Sequence, residues 1–519
     1  MDTSIGMNQA ETKAGTTHSI SQQSFFGHPA GLSTLFFTEM WERMSYYGMR
    51  ALLVLFMTLS LQDGGLGLTV ASATAIYGLY TGAVYFMGLP GGWIADRLIG
   101  GQRAVWYGGI IITCGHILLA IPSDSTFFIG LLFVVVGTGL LKPNIGALVG
   151  QLYGTNDERR DAGYTLYYMG INIGSIIGYL VCGWLQVNMG YHWAFGAAAI
   201  GMGAGLIQFR LTHIKLEGEG TAPSQPLMRN GRRTSYLGLG AAVAAMALLT
   251  YLVLDGQIII NPVLLAQYVA LTIAAVFVAY YVSMYLFAKL DSEEKKSLGA
   301  LFLVCLASIF FWAGFEQAGS SLNLFARDYT DRIIGDFELP TAWFQSANSF
   351  FIVILSPFFA ALWINLSKRL INPSYGIKCA LGLVIMALGF IVMFFAAQVA
   401  ASGMQAAPYW LVATYFLHTV GELCLSPVAL SAVSKLSPKR FAGQMMGVFT
   451  LTYSIGNVVA GLIAGNFDSE NIQQMPSLYM QIALTTIGAG LVILFFAVFT
   501  NSWEKLIKQQ DPEAEPASA

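Results

Sequence analysis

Seven ionisable side chains stand inside stretches that are otherwise apolar and long enough to cross a bilayer: Glu39, Glu42, Arg43, Arg50, Lys142, Glu316 and Glu422. At mid-membrane such a group costs at least ~2.5 kcal/mol on the gentlest insertion scale. It persists by facing a bundle interior, by finding a partner, or by doing work. One isolated case is explained by assembly or folding; seven in one chain point to the passage of a solute or an ion. The signs add to this, because four carboxylates face three cations. With all seven ionised the interior carries an unpaired negative charge, which a low dielectric disfavours, so at least one carboxylate is expected to take up a proton. A carboxylate poised in that way is the physical basis of proton coupling.

Spacing gathers several of these groups. Glu39, Glu42 and Arg43 fall at i, i+3 and i+4, on one side of a helix. Arg50 follows Arg43 by seven residues on nearly the same face, with Tyr46 and Tyr47 between them. One stripe thus offers carboxylates, guanidinium groups and phenols, and it cannot face lipid. His418 precedes Glu422 by four residues and shares its face; it and His116 are read as satisfied interior histidines rather than proton carriers. The five cysteines, Cys114, Cys182, Cys305, Cys379 and Cys424, lie in apolar segments without metal-ligand spacing and read as small packing residues.

The elements that position these groups follow from composition. Of 519 residues, 55% are apolar and 10% charged, against about 25% charged in a soluble domain. Lipid must cover most of the outer surface. The net charge of −2 gives no basic field for nucleic acid. Windows of about 20 apolar residues fall near 31–60, 70–95, 103–121, 126–150, 162–185, 192–212, 235–254, 262–288, 297–325, 343–365, 376–399, 408–433, 441–465 and 477–500. These runs are continuous, which excludes the alternation of a β-barrel. Arg43, Arg50 and Lys142 lie within spans, and Arg327 and Arg332 fall on one side. All the other lysines and arginines fall on the opposite side if both termini are cytoplasmic, as the positive-inside rule requires. The polar segment from Met1 to about Phe26 lacks the basic and apolar regions of a cleaved signal, so the first span reads as retained.

The segment Glu39-Met40-Trp41-Glu42-Arg43-Met44-Ser45-Tyr46-Tyr47-Gly48 closely resembles the ExxERFxYYG signature of the proton-dependent oligopeptide transporter family, with Met44 in place of Phe. Gly92 to Arg103 (GWIADRLIGGQR) is similar to the loop motif between the second and third helices of the wider major facilitator superfamily. Gly137 to Asn144 (GTGLLKPN) resembles the family's fourth helix, and Tyr164 to Ser175 (YTLYYMGINIGS) its fifth. Phe311-Trp312 with Glu316-Gln317 resembles the seventh, and Glu422 to Pro427 (ELCLSP) the tenth. The run Gly137 to Lys142 lacks the ending of a phosphate loop and lies in an apolar span, so it is not read as a nucleotide site.

The resemblance implies an all-α membrane protein with the major facilitator fold: two six-helix bundles plus two additional helices, fourteen spans in total. The expected divisions are a cytoplasmic tail 1–30, an N-terminal bundle 31–212, a linker 213–296 holding extra spans 235–254 and 262–288, a C-terminal bundle 297–500, and a cytoplasmic tail 501–519. The short connection near 400–407 leaves no room for the extracellular domain of animal members, so a bacterial inner-membrane protein is expected.

The implied function is proton-coupled import of di- and tripeptides by alternating access, with H⁺ as coupling ion and no cofactor or metal. Its expected partners are peptide, protons and the lipid bilayer, and the sequence specifies no oligomeric state. Arg50 and Lys142 would hold the peptide carboxylate, and Glu422, by resemblance, its ammonium. Asn172 and Asn348 are amides suited to the peptide backbone. Tyr46, Tyr47, Tyr80, Tyr85, Tyr168, Trp312 and Phe449 would form amphipathic walls. Phe449 lies near a position that is usually Trp in the family, and Asn348-Ser349 stands where Asn-Pro is usual. Glu316 would pair with Arg50 across the bundles until protonated. Glu39, Glu42 and Arg43 would interact with Lys142 to couple protonation to the same motion. Asp96, Arg97 and Arg103 would form a gate on the cytoplasmic side. The alternative is a proton-coupled carrier of another small anionic or zwitterionic solute, such as nitrate or a peptide-like drug, because plant relatives share these signatures. A membrane enzyme is not indicated, since no HExxH, GxSxG or paired aspartates occur in the spans.

Overall fold

The computed structural model describes residues 24–154, 157–369, 373–468 and 471–510, the side chains of residue 367 and residues 500–510 excepted. The expected cytoplasmic tails therefore lie largely outside the described residues. Sixteen α-helices follow in order: α1 (Gly31–Thr58), α2 (Val70–Phe86), α3 (Gly88–Ile94), α4 (Gly101–Ala120), α5 (Asp124–Gln151), α6 (Arg160–Met189), α7 (Tyr191–Thr212), α8 (Arg229–Leu254), α9 (Pro262–Phe287), α10 (Ser292–Phe315), α11 (Ser321–Asp328), α12 (Trp343–Lys368), α13 (Tyr375–Ala401), α14 (Tyr409–Leu436), α15 (Ala442–Ala464) and α16 (Met475–Gln510). A two-stranded hairpin, β1 (Ile333–Ile334) and β2 (Phe337–Glu338), joins α11 to α12.

Two spans are broken helices. α2 and α3 meet at Met87, and α10 and α11 are joined by a 3-10 turn over Glu316–Gly319. Counted as single crossings, thirteen segments are long and apolar enough to span a bilayer. α1 brings the total to the expected fourteen: its 28 residues suffice for a crossing, and its buried charges are what set it apart from the others. Helix starts obey local chemistry. Asn261 caps α9 with Pro262 in the first turn, and Asp291 with Glu294 forms a capping box on α10.

α1 to α7 pack into one six-span group, and α10 to α16 into a second. α1 approaches α6 backbone to backbone because Gly170, Gly174 and Gly178 occupy successive turns facing it. A Cβ at Gly174 would strike the Met40 carbonyl, and one at Gly178 the Met44 carbonyl. This contact fixes the rotation of the charged stripe on α1. Gly174→Val is therefore expected to push α1 away and destabilise the protein by about 1–3 kcal/mol, in the range of core overpacking, read as a lowered thermal midpoint in detergent. An unchanged midpoint would argue against the close approach.

Hydrogen bonds join the two groups from mid-depth to the end opposite the termini. Ser454 Oγ donates to the Gly82 carbonyl (2.9 Å), Trp343 Nε1 to the Leu180 carbonyl (3.0 Å), and Asn323 Nδ2 to the Ala51 carbonyl (2.7 Å). The Arg327 guanidinium reaches Thr58 Oγ1 at 2.8 Å, and the Ser175 and Ser349 hydroxyls touch between α6 and α12. The α2–α15 seam is closest where Gly78 meets Gly461.

The two extra helices lie outside both groups, as expected. α8 has no buried residue. α9 lays Ala266 and Ala270 over Ala75 of α2 and Val458 of α15, and so lies along the seam. The segment leading into α8 is a strap across the loop motif. Gln225 N donates to the Asp96 carbonyl (2.9 Å), Ser224 Oγ to Asp96 Oδ1 (2.8 Å), and Gln102 Nε2 to the Glu219 carbonyl (2.7 Å).

Candidate functional site: a charged chamber between two helix groups

The charged stripe of α1 divides into two clusters. Near its start, Arg43 Nε lies 2.9 Å from Glu39 Oε1 and also contacts Glu42. All three residues are almost fully buried. The i, i+3, i+4 spacing makes this a self-contained triad: two carboxylates share one guanidinium. The Arg43 guanidinium also lies 5.2 Å from the Tyr46 ring centre.

Two turns further on, Arg50 crosses to the second group. Its Nη1 lies 3.2 Å from Glu316 Oε2 and 3.3 Å from Glu316 Oε1. Tyr77 of α2 donates its hydroxyl to Glu316 Oε2 at 3.3 Å, and the guanidinium sits 5.3 Å from the Tyr47 ring centre. The interruption of α10 puts Glu316 at the first position of the 3-10 turn, and Gly319 in that turn leaves room for the Tyr77 hydroxyl. Arg50 and Glu316 are at most 4% exposed, so neither charge can exchange its partner for bulk water without movement of the groups around it.

Glu422 of α14 forms a third centre. Asn348 of α12 donates to Glu422 Oε2 at 3.0 Å and to Thr419 Oγ1 at 2.9 Å. No cation is within ion-pair distance of Glu422 among the described residues, so it is the acid that remains free to receive one.

Lys142 departs from expectation. Its Nζ lies 4.2 Å from the centre of the Tyr85 ring rather than on Glu39 or Glu42, which Arg43 already occupies. Pro143 follows it inside α5, and Asn144 Nδ2 donates to the carbonyls of Leu140 (2.7 Å) and Gly91 (3.3 Å) beside that irregular turn. The amides have partners within the chain. Asn348 is engaged with Glu422 and Thr419, and Asn172 is buried and donates to the Tyr168 carbonyl of its own helix.

The aromatic residues separate by exposure. Tyr168 is 44% exposed, Tyr47 and Tyr85 are partly buried, and Trp312 is 8% exposed. Tyr46, Tyr80 and Phe449 are core residues at 2–4% exposure, Tyr46 lying 6.5 Å from Tyr80 in a stacked arrangement. Sequence reasoning missed Tyr77, which reaches Glu316, Tyr179, whose ring lies 5.6 Å from that of Tyr47, and Tyr453. Tyr453 links the two groups by stacking on Tyr85 (5.1 Å) and lying against Trp312 (4.7 Å) and Phe449 (5.5 Å). The signal available for it was its place four residues after Phe449 on one helix face. Asp96, Arg97 and Arg103 lie apart from the chamber, at the end bearing the strap. Asp96 engages Ser224 and Gln225 there, rather than a second bundle helix. His116 and His418 are buried as expected, but neither is a satisfied histidine, because the ring nitrogens of both have no hydrogen-bond partner among the described residues.

A bridging arginine on α1, a lysine on α5 resting against an aromatic ring, and an acid on α14 with no ion-pair partner among the described residues make up the buried charge of the site. A family model described as "PTR2: POT family" matches residues 102–482. The chain is 41% identical over 500 residues to "Peptide transporter YePEPT" of Yersinia enterocolitica subsp. palearctica, spanning 93% of this chain and 97% of that protein. It is 36% identical over 460 residues to "Di-/tripeptide transporter" of Lactococcus lactis subsp. lactis, spanning 86% and 91%. The crystal structure described as "peptide transporter POT in complex with sulfate" superimposes with a TM-score of 0.86 at 38% identity, covering 93% of this chain and 97% of that one. Twelve spans in two six-helix groups with two extra helices beside them among the described residues, the signature residues and the relatives agree: the chain is a multi-pass membrane transporter, not an enzyme, and belongs to the POT family of the major facilitator superfamily.

Proposed function

We propose that this transporter imports di- and tripeptides together with protons by alternating access across a bacterial inner membrane, with both termini in the cytoplasm. The observation that carries the reading is the Arg50–Glu316 pair, a buried ion pair bridging the two helix groups at mid-depth. The names of the relatives support peptide as cargo, and the distribution of lysine and arginine supports the orientation.

In this reading the described state is closed on the outer side, where the inter-group hydrogen bonds lie, and faces inward. The six-span units 31–212 and 297–500 rock about the chamber, and segment 213–296 is carried alongside. A proton on Glu316 removes its charge and frees Arg50 for the peptide carboxylate; Lys142 supplies a second cation. Glu422 receives the peptide ammonium, and Tyr47, Tyr85, Tyr168, Trp312 and Tyr453 line the space between the two ends. The Glu39, Glu42 and Arg43 triad holds a second store of carboxylate from which a proton can be exchanged as α1 tilts. Asp96, Arg97 and Arg103, strapped by residues 219–227 in this state, gate the inner side. No cofactor or metal enters the cycle.

Proteoliposomes holding the purified protein and given an acid-outside gradient are expected to accumulate dialanine above its equilibrium level, and a protonophore should return it to equilibrium. Accumulation that ignores the protonophore would remove the proton from the reading. Failure of unlabelled dialanine to compete with other solutes would favour a different small anion.

A further inference from the structure

The loop arginines assigned to gating also enclose a separate cavity at the inner end. Arg97 after α3, Arg103 in the first turn of α4 and Arg232 in the first turn of α8 line a space of about 220 Å³ together with Leu98, Pro223 and Leu227. Arg229 and Arg233 border the open groove beside Arg232. None of these five arginines pairs with a carboxylate among the described residues. Two acids at this end, Asp96 and Glu219, line a neighbouring cavity instead, and Asp96 is taken by Ser224.

Helix polarity sharpens the point. α8 begins at Arg229, has no acid in its first turn and no side-chain cap. A helix start carries partial positive charge, so arginines there are disfavoured unless an anion is present. The positive-inside rule explains why this end is basic. It does not explain why arginines from three separate segments converge on one cavity with apolar residues beside them.

We propose that this cavity binds the phosphate of an anionic ester. Guanidinium forks match phosphate oxygens bidentately. The position at the inner end of the spans, with Leu98 and Leu227 alongside, favours the headgroup of an anionic phospholipid, and a soluble phosphate is the other source of the same chemistry. A bound phosphate would tie the gate loop, the strap and the start of α8 together, so the extra helix pair would be fastened to the N-terminal group by a ligand. This proposal does not depend on peptide being the cargo.

Native mass spectrometry of the full-length protein in neutral detergent tests it, with phosphatidylglycerol and phosphatidylcholine titrated separately. Phosphatidylglycerol is expected to bind at least about fivefold more tightly, and R232Q to weaken it about fivefold, on the scale of one arginine at a charged membrane surface. R97Q/R232Q should erase most of the preference, whereas R210Q/K215Q, with the same charge removed elsewhere at this end, should retain it. If inorganic phosphate competes with the lipid or raises the thermal midpoint by itself, the source is soluble phosphate; if phosphatidylglycerol binds regardless of added phosphate, it is lipid. The proposal is overturned if both lipids bind equally and phosphate has no effect, or if R210Q/K215Q weakens binding as much as R97Q/R232Q.

Discussion

Glu316→Gln is expected to abolish uphill accumulation of dialanine, bringing the internal-to-external ratio to about one, while exchange of labelled for unlabelled peptide across the membrane continues. The amide keeps the shape and hydrogen-bonding capacity of the side chain, so Tyr77 and Arg50 retain a partner. What it loses is the proton-dependent charge. In the parent, taking up a proton on Glu316 converts a charge pair into a charge facing a neutral acid, which releases Arg50; the variant is fixed in the neutral case and cannot distinguish an acid outside from an alkaline one. Accumulation in the parent should therefore rise as the outside is acidified, and in the variant it should be flat with pH. Normal accumulation by Glu316→Gln would move the proton to another carboxylate, with Glu39 and Glu42 as the next candidates.

The second large effect is expected from Arg50→Ala. Removing one partner of a buried hydrogen-bonded charge pair costs ~2–5 kcal/mol, so affinity for a peptide with a free carboxylate should fall at least about 30-fold. The comparison that isolates the role uses the same peptide with its C-terminus amidated. The parent should prefer the free acid, and the variant should bind both forms alike. Arg50→Lys restores charge without the planar fork and should recover only part of the difference. A parent that binds free and amidated peptides equally would disprove the assignment.

The span pattern was readable because lipid enforces it: each apolar run stands out, and the charges that interrupt α1 mark a helix with an interior face. The Arg50–Glu316 pairing was also legible, since a cation and an acid deep in different spans each need a partner. Four features were not legible. The break in α10 at Glu316 has no preceding proline to announce it, and the small and polar residues that follow, Gln317, Gly319, Ser320 and Ser321, do not by themselves fix where the helix turns. Lys142 was expected on the acids of α1, but spacing alone cannot show that Arg43 satisfies both of them first. The pairing of Asn348 with Glu422 depends on the relative rotation of α12 and α14, which sequence periodicity does not fix. The strap from Glu219 to Leu227 lacks any period, and its order comes from backbone bonds to the loop motif.

The resting place of Lys142 bears on the order of events. An aromatic ring is electrically neutral, so an ammonium that lifts off Tyr85 leaves no orphaned anion behind. Arg50 has no such freedom, because its withdrawal abandons an ionised Glu316 in a dry setting. Incoming cargo therefore meets one mobile cation and one latched cation. In the proposed cycle its negative end is caught first by the mobile one, and the latch yields only after H⁺ has arrived, which makes docking early and commitment late.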